Sequence, residues 1–495
     1  MDQQRIADLR EKLGEISDLN SAIALLQWDQ EVYMPPKAAK GRGQQMATLS
    51  SLRHRFFTAP ELGDALKELN DVSHLLDPDD AKLVEETLID YTRAQKLPES
   101  FVREFAEAQS DAYGSWVDAR KASSFEQFKP QLKRLVDLLR QRADYFGYEG
   151  SPYNALLDEY ERGLTVDILT PVFTDLAKRQ SDLVARVAAK PKIHDLAWLE
   201  QEWSEDAQWN FSMEVLRDLG YDFDAGRQDR SVHPFTTNFD LYDVRITTRV
   251  NKRELFSCLT GSIHECGHAL YEQGFQDRDR RTCLAEAISL GIHESQSRMW
   301  ENIIGRSLPF WKHYGPKMRA HFPGQLEGVS PEQICAGLNQ VAPSLIRVEA
   351  DECTYNLHVI LRFEIELALI EGAIEVEDVP AVWNEKVKQY LGLDVPSDAE
   401  GCLQDIHWSH GAMGYFPTYA LGNLYASQMF EQITKDIPDI WAQVENGAFN
   451  GLLEWLRKHV HRVGRRKTAG ELIEKISGAP LSAEPFMRYL ETKYA

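Results

Sequence analysis

Apolar residues recur along most of the chain at the three- and four-residue spacing of an amphipathic helix. A clear stripe is formed by Leu132, Leu135, Val136 and Leu139. Ser124 can cap the start of this segment and Gly147 can end it. The pattern therefore predicts a helix between these two residues.

Similar stripes predict helices at about residues 3–27, 80–94, 100–121, 165–188, 355–372 and 441–461. Short connections rich in Pro and Gly separate them, with no internal repeat, low-complexity tract or long polar linker. A length of 495 residues alone would allow two or three domains. The missing linker instead favours a mainly α fold with one large helical body over residues 1–495. Within it, about 1–230 would form a helical wall and lid, and about 231–495 the remainder.

The main exception is the stretch from Ser231 to Val250, which alternates in polarity and is rich in β-branched residues. This pattern predicts a small β-hairpin. Asn251 follows as a predicted N-cap, with Glu254 in the capping-box position three residues later. A helix is expected to begin there and to end near Gly274. An exposed strand edge beside that helix could bind an extended peptide backbone.

Composition is that of a globular protein, with 43% hydrophobic and 27% charged residues. The net charge of −22 argues against a general binder of nucleic acid or anionic membranes. No apolar run is long enough to span a membrane, and the first residues lack the apolar stretch of a secretion signal. Six cysteines are scattered without C-x-x-C pairing, as expected of reduced thiols. We therefore expect a soluble cytoplasmic protein.

The segment His264-Glu265-Cys266-Gly267-His268 falls on the helix expected after the hairpin. Histidines four residues apart lie on one helix face, so both rings can bind one metal ion. Glu265 is placed to act as general base on a metal-bound water. Cys266 points away from the histidine face and is interpreted as a packing residue. A solvated helix face without a metal is the alternative for this motif taken alone.

A hydrolytic zinc site needs a third protein ligand and keeps a fourth position for water. Glu294, thirty residues after His264, is a candidate from a second helix. Glu272 and Glu286 compete with it. Glu272 shares the histidine face one turn further along, and Glu286 lies two turns before Glu294. Spacing alone leaves the choice open.

Further segments accompany this motif in an order that resembles the carboxypeptidase Taq family of metallopeptidases. The segment that follows the motif is His293-Glu294-Ser295-Gln296. The others are His233-Pro234-Phe235, Asp243–Thr247, Ile346–Asp351, Gly401–Trp408, Leu26–Pro35 and Pro152–Leu157. The resemblance covers the chain nearly end to end, with no departure at a motif position.

This resemblance implies a zinc-type metallocarboxypeptidase that hydrolyses the C-terminal peptide bond of peptides with broad specificity. It also implies a saddle-shaped, almost all-helical body with a deep substrate groove, and a homodimer. One divalent metal per chain is expected, either Zn²⁺ or, as in some members, Co²⁺. Under this reading the ligands are His264, His268 and Glu294, and the base is Glu265.

A second likeness concerns the stretch from His410 to Tyr419. It resembles the His…Tyr…Tyr segment of oligopeptidases related to thimet oligopeptidase and neurolysin, and the expected fold is neurolysin-like. In those enzymes such residues donate hydrogen bonds to the tetrahedral intermediate and the peptide. His410, Tyr415 and Tyr419 are therefore candidate catalytic residues, with aromatic core packing as the alternative. The pattern departs at Gly422, where those relatives carry another tyrosine.

An exopeptidase must also recognise the free carboxylate of its substrate. Arg347 is the first candidate, because a guanidinium pairs bidentately with a carboxylate and stays charged. Arg245 is the second, with a structural ion pair as its alternative. His233 and His407, which lie in two family motifs, are counted as substrate-binding residues.

Two other functions stay open at this level. A neurolysin-like endo-oligopeptidase would cut internal bonds and would not need a free carboxylate. The non-enzyme alternative is a helical interaction protein with a purely structural metal site. An intact Glu265 argues against the latter, because a structural site has no use for a base.

Overall fold

The chain is mainly helical in a computed structural model that describes residues 2–190 and 195–495. Its helices are α1 Asp2–Val32, α2 Ala39–Phe57, α3 Pro60–Asp71, α4 Pro78–Lys96, α5 Glu99–Ala122, α6 Phe125–Phe146, α7 Tyr153–Leu157, α8 Val166–Ala188, α9 Glu205–Leu219, α10 Ser257–Glu272, α11 Leu290–Arg298, α12 Leu308–His321, α13 Pro331–Leu338, α14 Tyr355–Glu371, α15 Val379–Leu391, α16 Pro417–Asp436, α17 Ile440–Glu445, α18 Asn450–His459, α19 Ala469–Ser477 and α20 Glu484–Tyr494. The strands are β1 Gly226–Arg230, β2 Thr236–Asp240 and β3 Asp243–Thr248. The mainly α class with a small sheet is confirmed. In the described ranges, no helix has the length and apolar character needed to cross a membrane.

The helix predicted around residue 135 is α6. All four residues of its apolar stripe are buried, and the helix lies between Ser124 and Gly147, which adopts a φ of 74°. The single helix predicted over 441–461 is wrong. Gly447, with a φ of 71°, turns the chain there and divides the stretch into α17 and α18.

The sheet has the strand order β1-β3-β2. β2 and β3 form the predicted antiparallel hairpin, joined through Leu241 and Tyr242. β1 adds a strand parallel to β3 that the sequence pattern does not reveal, because Gly-Arg-Gln-Asp-Arg has no apolar alternation. Since β1 ends at Arg230, the sheet crosses the boundary expected near residue 230 between the two parts of the chain.

The two faces of the hairpin have different neighbours. Ile246 is fully buried on the face that packs against α10, and Thr236 and Asn238 share that face. Arg245 points to the opposite face, where its guanidinium lies 4.5 Å from the ring centre of Trp28 in α1. Strand alternation thus decides which side chains can approach α10.

Helix α10 begins later than predicted. Its first residue is Ser257, and the residue before it provides no side-chain cap. Asn251 instead accepts a hydrogen bond from the backbone of Arg253, while its amide donates to Glu254 at 2.7 Å. The predicted cap is wrong because asparagine closes turns with the same hydrogen-bonding groups that it uses to cap helices.

Within the described part of the chain, two hydrophobic cores hold the helices together. The main core takes in buried residues between Phe101 and Leu490. A smaller core joins α1, α3 and α4 and consists of Ile6, Leu9, Leu13, Leu62, Leu66, Leu69, Leu83, Val84, Tyr91 and Leu284. The N-terminal helices thus pack partly among themselves. Their role as a wall and lid stays a prediction, as does the deep groove.

Candidate active site

Helices α10 and α11, which carry the candidate ligands, approach each other closely at a glycine. A Cβ atom built on Gly267 would lie 2.6 Å from the backbone of Gln296 and of Ser297, so no larger residue fits without a backbone shift. This close approach allows Glu294 of α11 to reach the histidine face of α10. The glycine of the His-Glu-Cys-Gly-His segment therefore serves helix packing.

His264, His268 and Glu294 converge, with one ligand atom from each lying within 4.8 Å of the others. The Nε2 atoms of His264 and His268 are 3.6 Å and 3.4 Å from Oε2 of Glu294. Two imidazoles and one carboxylate form an open donor set of the kind that binds zinc in hydrolytic enzymes. These three side chains therefore fit a divalent cation.

The other residues considered as ligands lie elsewhere. Glu272 accepts a hydrogen bond from Nε2 of His293 at 2.7 Å rather than contacting the two ligand histidines. The side chain of Glu286 is 59% exposed and pairs with Arg465. Cys266 is fully buried in the main core, as its packing interpretation predicts. The structure thus brings Glu294 to the histidines and neither of its competitors.

The charge state of the three side chains follows from burial and from their neighbours. Burial lowers the pKa of His268 to about 3, which keeps its ring neutral at pH 7. Burial opposes ionisation of Glu294, but Arg298 and His264 hold its pKa well below the usual range. Burial also disfavours the charged form of His264, yet Glu294 and Glu301 raise its pKa overall.

Glu265 is buried on α10 next to the first ligand histidine. The hydroxyl of Thr236 in β2 donates to its Oε2 atom at 2.7 Å and to its backbone oxygen at 2.9 Å. Burial raises the pKa of Glu265. This carboxylate is held in one orientation, which suits a group that takes up and returns a proton. Thr236 was missed from the sequence, although strand alternation could have assigned it to the face of α10.

Two further charged residues form hydrogen bonds with the ligands and were not predicted from the sequence. Arg298 donates through Nε to Oε1 of Glu294 at 2.6 Å, and its spacing of four residues is a detectable helical pair. Glu301 lies 2.9 Å from Nδ1 of His264. It sits in a π-helical turn, Met299–Gly305, so α-helical spacing does not predict its position.

His407, Tyr415 and Tyr419 form an aromatic cluster. Nε2 of His407 is 3.4 Å from the hydroxyl of Tyr419, and the rings of Tyr415 and Tyr419 are centred 5.2 Å apart. Burial lowers the pKa of His407 to about 4 and raises the pKa of both tyrosines. At pH 7 the cluster therefore holds neutral groups that can donate hydrogen bonds.

His410 and His233, two further predicted site residues, lie outside this cluster. His410 is exposed, and its ring packs against Tyr113 of α5 with a centroid distance of 5.7 Å. His233 is exposed in the loop between β1 and β2. The neighbouring Pro234 lies 3.7 Å from the position of a Cβ on Gly261. His233 is therefore beside the first half of α10.

Gly422 departs from the oligopeptidase pattern for a steric reason. A Cβ atom at this position would lie 2.3 Å from Cγ of Glu294, because α16 packs directly along α11. A tyrosine cannot occupy this place while Glu294 keeps its position. Tyr419 lies one turn earlier on α16. The same packing therefore places it on the side of α16 that faces Glu294.

Replacing Gly422 by Ala is expected to displace Glu294, lowering the affinity for a divalent metal about tenfold or more and destabilising the fold by about 1–3 kcal/mol. Competition with a chelator and thermal unfolding measure the two effects. Gly114→Ala in α5 is the control, because no atom lies within 4 Å of its Cβ position. It should be neutral or stabilising by up to about 1 kcal/mol. Unchanged metal affinity in Gly422→Ala would contradict the steric argument.

Arg347 is buried and shares one carboxylate with a second arginine. Its Nε and Nη2 atoms donate to Oδ1 of Asp405 at 3.1 Å and 2.8 Å, and Nη1 donates to Tyr355 at 2.9 Å. Nε of Arg362 donates to the other oxygen of Asp405 at 2.7 Å. Two guanidinium groups are thus paired with one carboxylate.

The neighbouring acid, Glu366, does not complete this cluster. It accepts hydrogen bonds from Tyr153, Trp408 and the backbone of Gly414, and burial raises its pKa to about 7. Among the described residues, Asp405 is the acid that pairs with both arginines. The cluster therefore keeps a surplus of positive charge beside the aromatic cluster.

Arg245 is placed differently from Arg347. It forms a bidentate pair with Asp243 at 2.7 Å and 2.8 Å, on the sheet face that points away from α10. Its guanidinium also contacts two aromatic rings, 4.5 Å from the ring centre of Trp28 and 4.9 Å from that of Phe239. This placement agrees with the ion-pair interpretation of Arg245, and its role in substrate binding stays a prediction.

A family model described as carboxypeptidase Taq (M32) metallopeptidase matches residues 8–494. The chain belongs to this family. It is 40% identical to thermostable carboxypeptidase 1 of Thermus thermophilus, an alignment that covers 99% of this chain and 98% of the relative. It is 38% identical to carboxypeptidase 1 of Bacillus subtilis, over 98% and 96% of the two chains. The crystal structure of an M32 carboxypeptidase from Deinococcus radiodurans superposes with a TM-score of 0.97, at 39% identity and with 99% of each chain covered.

Because the chain belongs to this family, the protein is a metallocarboxypeptidase. The family also implies a divalent metal. The alternative of a non-catalytic interaction protein is therefore wrong. The likeness to neurolysin stays a prediction.

Proposed function

We propose that this protein removes residues from the C-terminus of peptides, with one Zn²⁺ held by His264, His268 and Glu294. The convergence of their ligand atoms within 4.8 Å carries the proposal. Two neutral imidazoles and a carboxylate are the donor set of open hydrolytic zinc sites, and Co²⁺ is the alternative ion. When bound, the cation acidifies a coordinated water and polarises the scissile carbonyl.

Glu265 moves the proton in this proposal. It takes a proton from the attacking water and passes it to the leaving amine. Thr236 supports this role, because its hydroxyl fixes one oxygen of the carboxylate at 2.7 Å. Fixing the base in a buried position saves the reorganisation that a mobile side chain would need.

The negative charge that develops on the carbonyl oxygen requires a hydrogen-bond donor already in place. The aromatic cluster of His407, Tyr415 and Tyr419 supplies neutral donors. Tyr415 and Tyr419, whose rings are centred 5.2 Å apart, are the main candidates for this donor. His410, which packs against α5, is a weaker candidate.

Arg347 recognises the substrate carboxylate in this proposal. The surplus positive charge of Arg347, Arg362 and Asp405 favours an anion, and a free C-terminus would supply one. A chain of contacts links this cluster to the ligands. The Arg298 guanidinium pairs with Glu294 and lies 4.6 Å from the ring centre of Tyr355, whose hydroxyl accepts from Arg347.

Metal content and cleavage products, measured on the same purified protein, test this function. Elemental analysis is expected to give about one equivalent of zinc per chain. Mass spectrometry of a digested, unblocked peptide should reveal successive losses of single C-terminal residues. A chelator should abolish cleavage, and added Zn²⁺ should restore it. Internal fragments as first products, or full cleavage by the metal-free protein, would contradict the proposal.

We further propose that the protein works as a homodimer in the cytoplasm. The family resemblance supports the dimer. All six cysteines are free, which suits a reducing compartment. Light scattering that gives the mass of one chain, or recovery of the protein outside the cytoplasm, would contradict these two points.

A further inference from the structure

The second ring nitrogen of His268 faces another histidine. Nδ1 of His268 lies 2.5 Å from Nδ1 of His293, and Nε2 of His293 lies 2.7 Å from Oε1 of Glu272. Asn238 of β2 donates to the other oxygen of Glu272 at 2.5 Å. These side chains form a hydrogen-bonded chain. It starts at Asn238 in the sheet, passes through Glu272 and His293, and ends at the metal ligand His268.

The hydrogen-bonding roles in this chain determine which ring nitrogen of each histidine carries the proton. A histidine that binds a cation through Nε2 keeps its proton on Nδ1, so His268 must donate to His293. His293 then accepts through Nδ1 and carries its own proton on Nε2. That proton is donated to Glu272, which as a carboxylate can only accept. Both hydrogen bonds are satisfied by this single arrangement of neutral rings.

The two ligand histidines are therefore supported in different ways. His264 meets its carboxylate, Glu301, directly at 2.9 Å. His268 reaches Glu272 only through the ring of His293. Carboxylates that accept from ligand histidines orient the ring and select its tautomer, and their loss weakens metal binding.

We propose that His293 and Glu272 are positioning residues for His268. This inference rests on the ligand set of the proposed function. They hold its ring with Nε2 directed at the metal. His293 is the neighbour of Glu294, so α11 contributes one ligand directly and supports a second from α10. Asn238 ties this support to β2, the strand whose Thr236 also holds Glu265. One strand thereby anchors both the base and a metal ligand.

Zn²⁺ affinity of the metal-free protein, measured by competition with a chromophoric chelator, tests this proposal. His293→Leu and Glu272→Gln are each expected to weaken Zn²⁺ binding about 10- to 100-fold. His293→Asn has the size of the Leu variant but can place an oxygen near the position of Nδ1 to accept from His268. It should recover part of the affinity. Activity lost at limiting Zn²⁺ should return at excess Zn²⁺, because the base and the ligands are intact.

Glu286→Gln is the matched control, because this acid pairs with Arg465 and is largely exposed. It should bind Zn²⁺ as the wild type does, whereas Glu294→Gln should lose more affinity than either positioning variant. Thermal unfolding of each metal-free variant separates a folding defect from a change at the site. Wild-type affinity in folded His293→Leu and Glu272→Gln would overturn the positioning role. Wild-type affinity in Glu294→Gln would instead overturn the ligand set itself.

Discussion

Glu265→Gln is expected to bind Zn²⁺ as tightly as the wild type does and to lose about 10²- to 10⁴-fold in kcat. The amide keeps the shape of the side chain and can still accept a hydrogen bond from Thr236, but it cannot take a proton from water. Elemental analysis and steady-state kinetics on an unblocked peptide measure the two properties. The expected effect is large because Glu265 is the buried carboxylate beside the first ligand histidine.

His264→Ala is the complementary variant. It should lose the metal as well as the activity, because a site with one imidazole and one carboxylate binds zinc weakly. The two variants together distinguish loss of the base from loss of the site. A Glu265→Gln protein with near-native kcat would rule out the assigned base.

Arg347→Ala is expected to reduce kcat/KM on unblocked peptides by about 30- to 1,000-fold, or roughly 2–4 kcal/mol, through loss of a charge-assisted pair in a partly dry site. Arg347→Lys should recover little, because an ammonium cannot reproduce the geometry of the guanidinium. The wild type should cleave C-terminally amidated peptides poorly. For the Arg347→Ala variant, amidation of the peptide should reduce kcat/KM almost no further. Kinetics on paired free and amidated peptides measure all of these effects.

Arg245→Ala provides the matched control for this experiment. It also removes an arginine that is paired with an aspartate, but this arginine is only partly buried and pairs with Asp243 on the sheet face that points away from α10. Its discrimination between free and amidated peptides should equal that of the wild type. Loss of discrimination in Arg245→Ala and not in Arg347→Ala would reverse the assignment. Equal cleavage of free and amidated peptides by the wild type, with internal bonds cut, would favour an endo-oligopeptidase.

Features that depend on neighbouring residues were predictable from the sequence. Helical spacing predicted α1, α4, α5, α6, α8 and α14, and alternation predicted the β2–β3 hairpin, because both periods are set by local backbone geometry. The same reasoning placed His264 and His268 on one face of α10. The predictions from local sequence were wrong at residue types that occur in more than one kind of local structure. Asn251 closes a turn instead of capping α10, and Gly447 divides a stretch that was predicted as a single helix.

Decisions that depend on distant segments required the tertiary structure. Spacing left Glu294, Glu272 and Glu286 in competition, and the close packing of α11 on Gly267 brings Glu294 to the histidines. Glu272 is instead engaged by His293.

The sequence ranked Arg347 before Arg245 as the carboxylate-binding residue, but only the fold determined where each guanidinium lies. Arg245 lies on the outer face of the hairpin, whereas Arg347 meets Asp405 from a segment 58 residues away. A pattern read along the chain reports periodicity and short spacings. Which charges share a buried site depends on how helices and strands pack, and packing joins residues that no local spacing relates.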